Sequence, residues 1–86
     1  MYIHLGERIS INDTTVIGVF DLENTTIGQD TRMYLKRLEQ EGRAVNVSSE
    51  MPKSFVVTVR NGEEKVYISQ LAAGTLKKRL AEGIES

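Results

Sequence analysis

Apolar positions recur along this chain in two rhythms. Tyr2-Ile3-His4-Leu5 is a short apolar group stopped by Gly6, and Arg8-Ile9-Ser10-Ile11 alternates with period two, so the pair reads as a β-hairpin. Asn12-Asp13 is turn chemistry, because both side chains accept hydrogen bonds from nearby backbone N–H groups. Thr15-Val16-Ile17-Gly18-Val19-Phe20 is nearly continuous and β-branched, which predicts a central strand covered on both faces. A glycine inside such a run predicts that a helix or another backbone comes close at Gly18.

The period then lengthens. Ile27, Thr31, Tyr34, Leu35 and Leu38 fall on one helical stripe, and Thr26 and Gln29 have capping-box spacing. Gly28 weakens the first turn and moves the expected start toward Asp30. Arg37 and Glu41 are placed to pair one turn apart, and Gly42 is the expected stop. Residues 43–47 read as a short strand or extended link, and residues 48–52 as a loop ending in the sole proline. The most β-prone run follows. Residues 54–60 and 66–69 form a predicted hairpin through an Asn61-Gly62 type I′ turn, with Glu63 and Glu64 keeping its tip wet. A closing helix is predicted from about residue 73 to 82, with Leu76 and Leu80 inward. Lys77, Lys78 and Arg79 sit toward its C-terminal half, where cations suit the helix dipole. The order ββ, β, α, β, ββ, α predicts a single α+β domain over residues 1–86, a small mixed or antiparallel sheet with two helices.

Composition narrows the chemistry. A chain of 86 residues has a thin stability margin, and with no cysteine it has neither disulfides nor thiolate metal sites. Self-association into a homo-oligomer is the expected source of further buried area. No charged-then-apolar leader pattern or long apolar run is present, so the expected location is cytoplasmic, with no membrane partner. The net charge of −1 and pI of about 5.8 are poor for an electrostatic nucleic-acid binder. The charge is uneven, however: residues 1–50 carry net −3 and residues 51–86 net +2.

No catalytic constellation emerges. His4 is the only imidazole and reads as a half-buried strand residue. Ser48, Ser49 and Thr58 have no local feature that would assemble a triad around it. Asp13, Asp21, Glu23 and Asp30 lack metal-ligand spacing, and the glycines are too scattered to cradle a phosphate. The expectation is a protein that is not an enzyme, with no cofactor, no metal and no small-molecule substrate. Tyr2, Phe20, Tyr34, Phe55 and Tyr67 sit at core spacings without interleaved cations, which argues against a single-strand stacking platform. Two cationic features stand out. Lys77-Lys78-Arg79 is either a solvated helix face or a phosphate-contacting patch. Lys53 either blunts a sheet edge or contacts backbone phosphate with the Ser54 hydroxyl assisting. Arg60, at the far end of the same strand, reads as support for the turn.

Met1-Tyr2-Ile3-His4-Leu5-Gly6, Val16-Ile17-Gly18-Val19-Phe20-Asp21, Pro52-Lys53-Ser54-Phe55-Val56-Val57-Thr58-Val59, and Ser69 with Thr75-Leu76-Lys77-Lys78-Arg79 together resemble the bacterial extracellular matrix regulatory proteins. The B-type branch is nearer than the A-type biofilm activators. The resemblance spans nearly the whole chain. Its specificity lies in order and spacing, since each motif alone is mostly apolar strand. It implies a DNA-binding transcriptional regulator of biofilm-matrix genes, a fold similar to the LytTR-type DNA-binding domain, and ring-like oligomers around which DNA wraps. Repeated subunits would multiply weak phosphate contacts, and binding would follow backbone shape more than base identity.

The chain departs from the family pattern where that pattern carries charge. Thr14 and Thr15 stand where the family tends to have an arginine, and of the basic residues entering the residue 52–59 strand only Lys53 is kept. Only Lys53 carries over by position. Arg43, Lys77, Lys78 and Arg79 join it on charge alone. Two functions compete: an oligomeric regulator gripping duplex DNA through Lys53, Ser54, Arg43, Lys77, Lys78 and Arg79, and an oligomeric protein-interaction module or paralogue partner that makes no DNA contact. The missing cations and acidic pI support the second.

Overall fold

The computed structural model describes residues 1–23 and 28–85, the last three as backbone only. Its elements follow the predicted order. Strands β1 (Tyr2–Gly6) and β2 (Ile9–Asn12) form a hairpin, and a short 3₁₀ turn (Asp13–Thr15) leads into β3 (Val16–Asp21). Helix α1 (Gln29–Gln40), strands β4 (Ala44–Asn46), β5 (Ser54–Arg60) and β6 (Glu63–Ser69), and helix α2 (Ala73–Glu85) follow. The hairpin is its own two-stranded antiparallel sheet. The other four strands make a mixed sheet of order β3-β5-β6-β4, in which only β4 and β6 run parallel.

The pleat of β5 feeds two cores. Phe55 and Val57 pack with Leu38 of α1 and Val66 of β6 on one face. Val56, between them, points the other way and packs with Ile3, Leu5, Ile11, Val19, Ala73 and Leu76. The sheet is therefore sandwiched between α1 and a layer made of the β1–β2 hairpin and α2. Burial on both faces is why β5 reads as an unbroken apolar run rather than an alternation.

Two buried hydroxyls lock the second layer to the sheet. Ser69 Oγ donates to the Leu5 carbonyl at 2.6 Å and accepts from the Leu71 N–H at 3.0 Å. Ser54 Oγ donates to the Leu71 carbonyl at 2.7 Å, just before α2 begins. Ser69→Ala is expected to cost about 1–3 kcal/mol, because it leaves the buried Leu5 carbonyl and the part-buried Leu71 N–H without that partner. Urea denaturation checks this; a midpoint unchanged from wild type would contradict it.

The hairpin turn matches expectation, with Asn61 and Gly62 at φ 53° and 80° as a type I′ turn requires. Arg37 Nε lies 3.9 Å from Glu41 Oε2, and α1 ends two residues before Gly42. The capping residue Thr26 and the stripe residue Ile27 lie outside the described residues.

Several expectations are corrected. β3 is an edge strand, not a central one: it pairs only with β5, and Ile17 and Phe20 are 63% and 47% exposed. The reason is that the β1–β2 hairpin stacks on the sheet face instead of adding a strand beside β3. What comes close to Gly18 is neither a helix nor another backbone. The ring of Phe20, stacked on Phe55 with centroids 5.0 Å apart, lies over it, and a Cβ on residue 18 would sit 2.9 Å from that ring. His4 is exposed rather than half-buried, its Nε2 donating to the Glu7 carbonyl at 2.7 Å. Tyr2 is exposed as well, so the aromatics are not all at core positions.

Candidate nucleic-acid interface

Lys53 is held from both sides by its backbone. Its N–H donates to the Ser69 carbonyl and its carbonyl accepts from the Leu22 N–H, each at 2.9 Å. This places it between β3 and β6 at the entrance to the central strand β5, which excludes the edge-blunting reading: no open edge lies beside it. The side chain is exposed and makes no ion pair among the described residues. The result is a solvated cation on a rigid base.

The remaining candidates do not converge on it. Ser54 is fully buried and its hydroxyl is spent on Leu71, so it cannot assist a phosphate contact; strand alternation turns it inward as Lys53 turns outward. Arg43 lies next to β4, which forms an edge of the sheet. Its guanidinium donates to the Glu41 carboxylate, which holds that carboxyl below its ordinary range, and Glu63 and Glu64 add to the acidic surroundings. Arg79 donates to the His4 carbonyl at 2.7 Å and so pins α2 to β1. Lys77 and Lys78 are exposed, about 6–8 Å along the α2 axis from its first residue. The basic run thus divides into one structural arginine and two free lysines.

Thr14 and Thr15 lie at the far end of β3 from Lys53. Val16 pairs with Thr58 while Asp21 pairs with Ser54, so Thr14 and Thr15 sit about 20 Å from Lys53 along the sheet. Thr14 is exposed, and its Oγ1 donates to Asn12 Oδ1 at 2.8 Å; Thr15 Oγ1 donates to the Asn12 carbonyl at 2.7 Å.

Sequence reasoning passed over a second surface, an apolar hollow of about 350 Å³ between β3 and α1, where Ile17 and Phe20 meet Tyr34, Phe55 and Val57. Its signal in the sequence is the apolar run of β3, which suits a buried strand equally well. Tyr34 anchors the helix there by donating to the Glu64 carboxylate on β6. Burial first, and then that hydrogen bond, push its pKa up to about 12. A phenol whose folded pKa lies above its unfolded one stabilises the fold at lower pH, and that contribution is lost as pH rises from about 10 through about 12. A titration of phenolate absorbance is expected to show a component with midpoint near 12 that Tyr34→Phe removes; its absence from wild type would contradict the contact.

No group of three or more His, Cys, Asp or Glu residues that could hold a metal ion occurs among the described residues, and no described helix is long and apolar enough to cross a membrane.

The fold and surface define a small layered α+β domain with isolated exposed cations and an open apolar sheet edge. No protein-family model matches the chain. It is 37% identical over 79 residues to the extracellular matrix regulatory protein B of Bacillus subtilis (strain 168), covering 92% of this chain and 89% of that protein. The chain belongs to the extracellular matrix regulatory protein family.

Proposed function

We propose that this protein is a non-enzymatic, cytoplasmic transcriptional regulator of the biofilm and extracellular-matrix type, related to the LytTR-type DNA-binding unit, which grips the phosphates of duplex DNA as a ring-like homo-oligomer. One observation carries the reading: Lys53 is exposed, free of ion pairs among the described residues, and fixed by backbone bonds on both sides. The backbone bonds fix where the side chain leaves the sheet, and its ammonium stays solvated and available to a phosphate. Family membership supports the regulatory role. Lys77 and Lys78 are secondary contacts; Arg43 and Arg79 are already engaged within the subunit.

A single lysine gives a salt slope of only about −0.9, so binding of any strength requires several copies on one particle. The net charge of −1 favours the competing reading, an oligomeric interaction module without DNA contact. Fluorescence anisotropy with a labelled duplex separates them. Binding at about 50 mM salt that collapses by about 200 mM supports the first, and a defined oligomer with no binding at low salt supports the second. Thr14→Arg, at an exposed position, is expected to tighten binding and steepen the slope by about 0.9 for each added contact. An unchanged slope would show that this end of β3 lies away from the DNA.

A further inference from the structure

Strands β5 and β6 pair so that Thr58 lies opposite Lys65 and Val56 opposite Tyr67. Strand alternation puts Thr58, Arg60, Lys65 and Tyr67 on one face of the sheet, the face that Val56 turns toward the β1–β2 hairpin. Where the hairpin ends, these side chains meet Tyr2, Ser10 and Asn12 around a hollow of about 220 Å³. None of its described lining residues is acidic, and Arg60 and Lys65 are cations without an ion pair among the described residues. Lys65 Nζ rests 5.6 Å from the Tyr67 ring centre, a contact that holds the ammonium without neutralising it. The two phenols and the Ser10 hydroxyl add neutral donors. Asn12 Oδ1 is taken by Thr14, so what that side chain has left to offer is its NH₂. On their other side the same two cations border a hollow that Arg43, Glu63 and Glu64 also line, so the hydroxyl-lined side is the one without carboxylates.

We propose that this hollow takes the terminal phosphate of a small phosphate monoester. Size and charge select that class. Pockets that enclose a whole drug-sized ligand run to about 300–1,000 Å³, so this one seats a group and leaves the rest of the molecule outside. A phosphate monoester carries about −1.5 to −2 at pH 7, which matches two cations, and its oxygens suit the planar fork of Arg60. A diester in the DNA backbone carries one charge and has chain leaving on both sides, which suits the open surface at Lys53 better than a hollow. The site stands apart from the DNA reading, because Arg60 closes β5 about 20 Å along the strand from Lys53.

Amide NMR on the full chain tests it, with glycerol 3-phosphate as the monoester and dimethyl phosphate as the diester. Glycerol 3-phosphate is expected to shift residues 10–12, 58–60 and 65–67 saturably, with its midpoint at about 1 mM or below, and dimethyl phosphate to bind at least about tenfold more weakly. R60Q and K65Q are each expected to weaken the monoester about fivefold or more. R60K should fall between R60Q and wild type, because lysine keeps the charge but not the fork. Both positions are exposed, so resonances elsewhere should stay in place and confirm the fold. No saturation by about 10 mM, equal affinity for the two esters, or indifference to R60Q and K65Q would overturn the site. Shifts of the same residues by duplex DNA and none by glycerol 3-phosphate would overturn it in favour of a backbone contact and leave the DNA reading standing. Binding of glycerol 3-phosphate without any binding of duplex would uphold the site while the DNA reading failed.

Discussion

Lys53→Glu is expected to lower the affinity of the assembled protein for duplex DNA by on the order of a hundredfold at low salt and to flatten the salt dependence. The size of the effect comes from repetition. Each subunit loses one phosphate contact and gains a repulsion, and an assembly of even a few copies multiplies both. The new carboxylate would also add to that of Asp21, which pairs with the neighbouring Ser54 across β3 and β5. Folding is expected to survive, because the backbone of Lys53, not its side chain, makes the bonds to Ser69 and Leu22. Stability should move by less than about 0.5 kcal/mol, as for other exposed substitutions. Lys53→Gln removes the contact without the repulsion and should fall between the two. Full affinity in Lys53→Glu would remove this residue from the interface.

Leu38→Ala is expected to cost about 3–5 kcal/mol, a large loss from the α1 core. Leu38 has no exposed surface and is enclosed with Phe55, Val57 and Val66. A domain of this size has about 4–13 kcal/mol in total, so the variant should melt about 15–30 °C below wild type. Met51→Ala is the contrast. Met51 is 83% exposed, and its truncation should change stability by less than about 0.5 kcal/mol. A Leu38→Ala melt within a few degrees of wild type would mean that α1 is not held by this cluster.

Much of the fold was legible because it is written in local chemistry. The Asn61-Gly62 turn and the glycine after α1 act within a few residues of themselves, and the stripe of Leu35 and Leu38 needs only the helical period. The order of strands across the sheet depends on long-range packing. An apolar run such as residues 16–20 suits a central strand and a sticky edge equally well, and the choice was made by the β1–β2 hairpin stacking on the sheet face.

The site was read less completely for the same reason. Lys53 was legible as an outward cation at a strand entrance. Ser54, its neighbour, carried the same polar signature but faces inward to close off the start of α2. Lys77, Lys78 and Arg79 are adjacent in sequence, yet each helical residue turns about 100° from the last, so two point to solvent while the third reaches His4 on β1. A run of like residues on a helix is a list of directions, and only the packing says which of them meets water.

The salt dependence of duplex binding by the wild-type protein, measured by anisotropy with the particle mass determined in parallel, tests the account most directly. A slope clearly steeper than about −2.7 per bound particle is the predicted result, because Lys53, Lys77 and Lys78 of a single subunit could supply no more than that. A slope of about −2.7 or shallower, or no binding at about 50 mM salt, would contradict it.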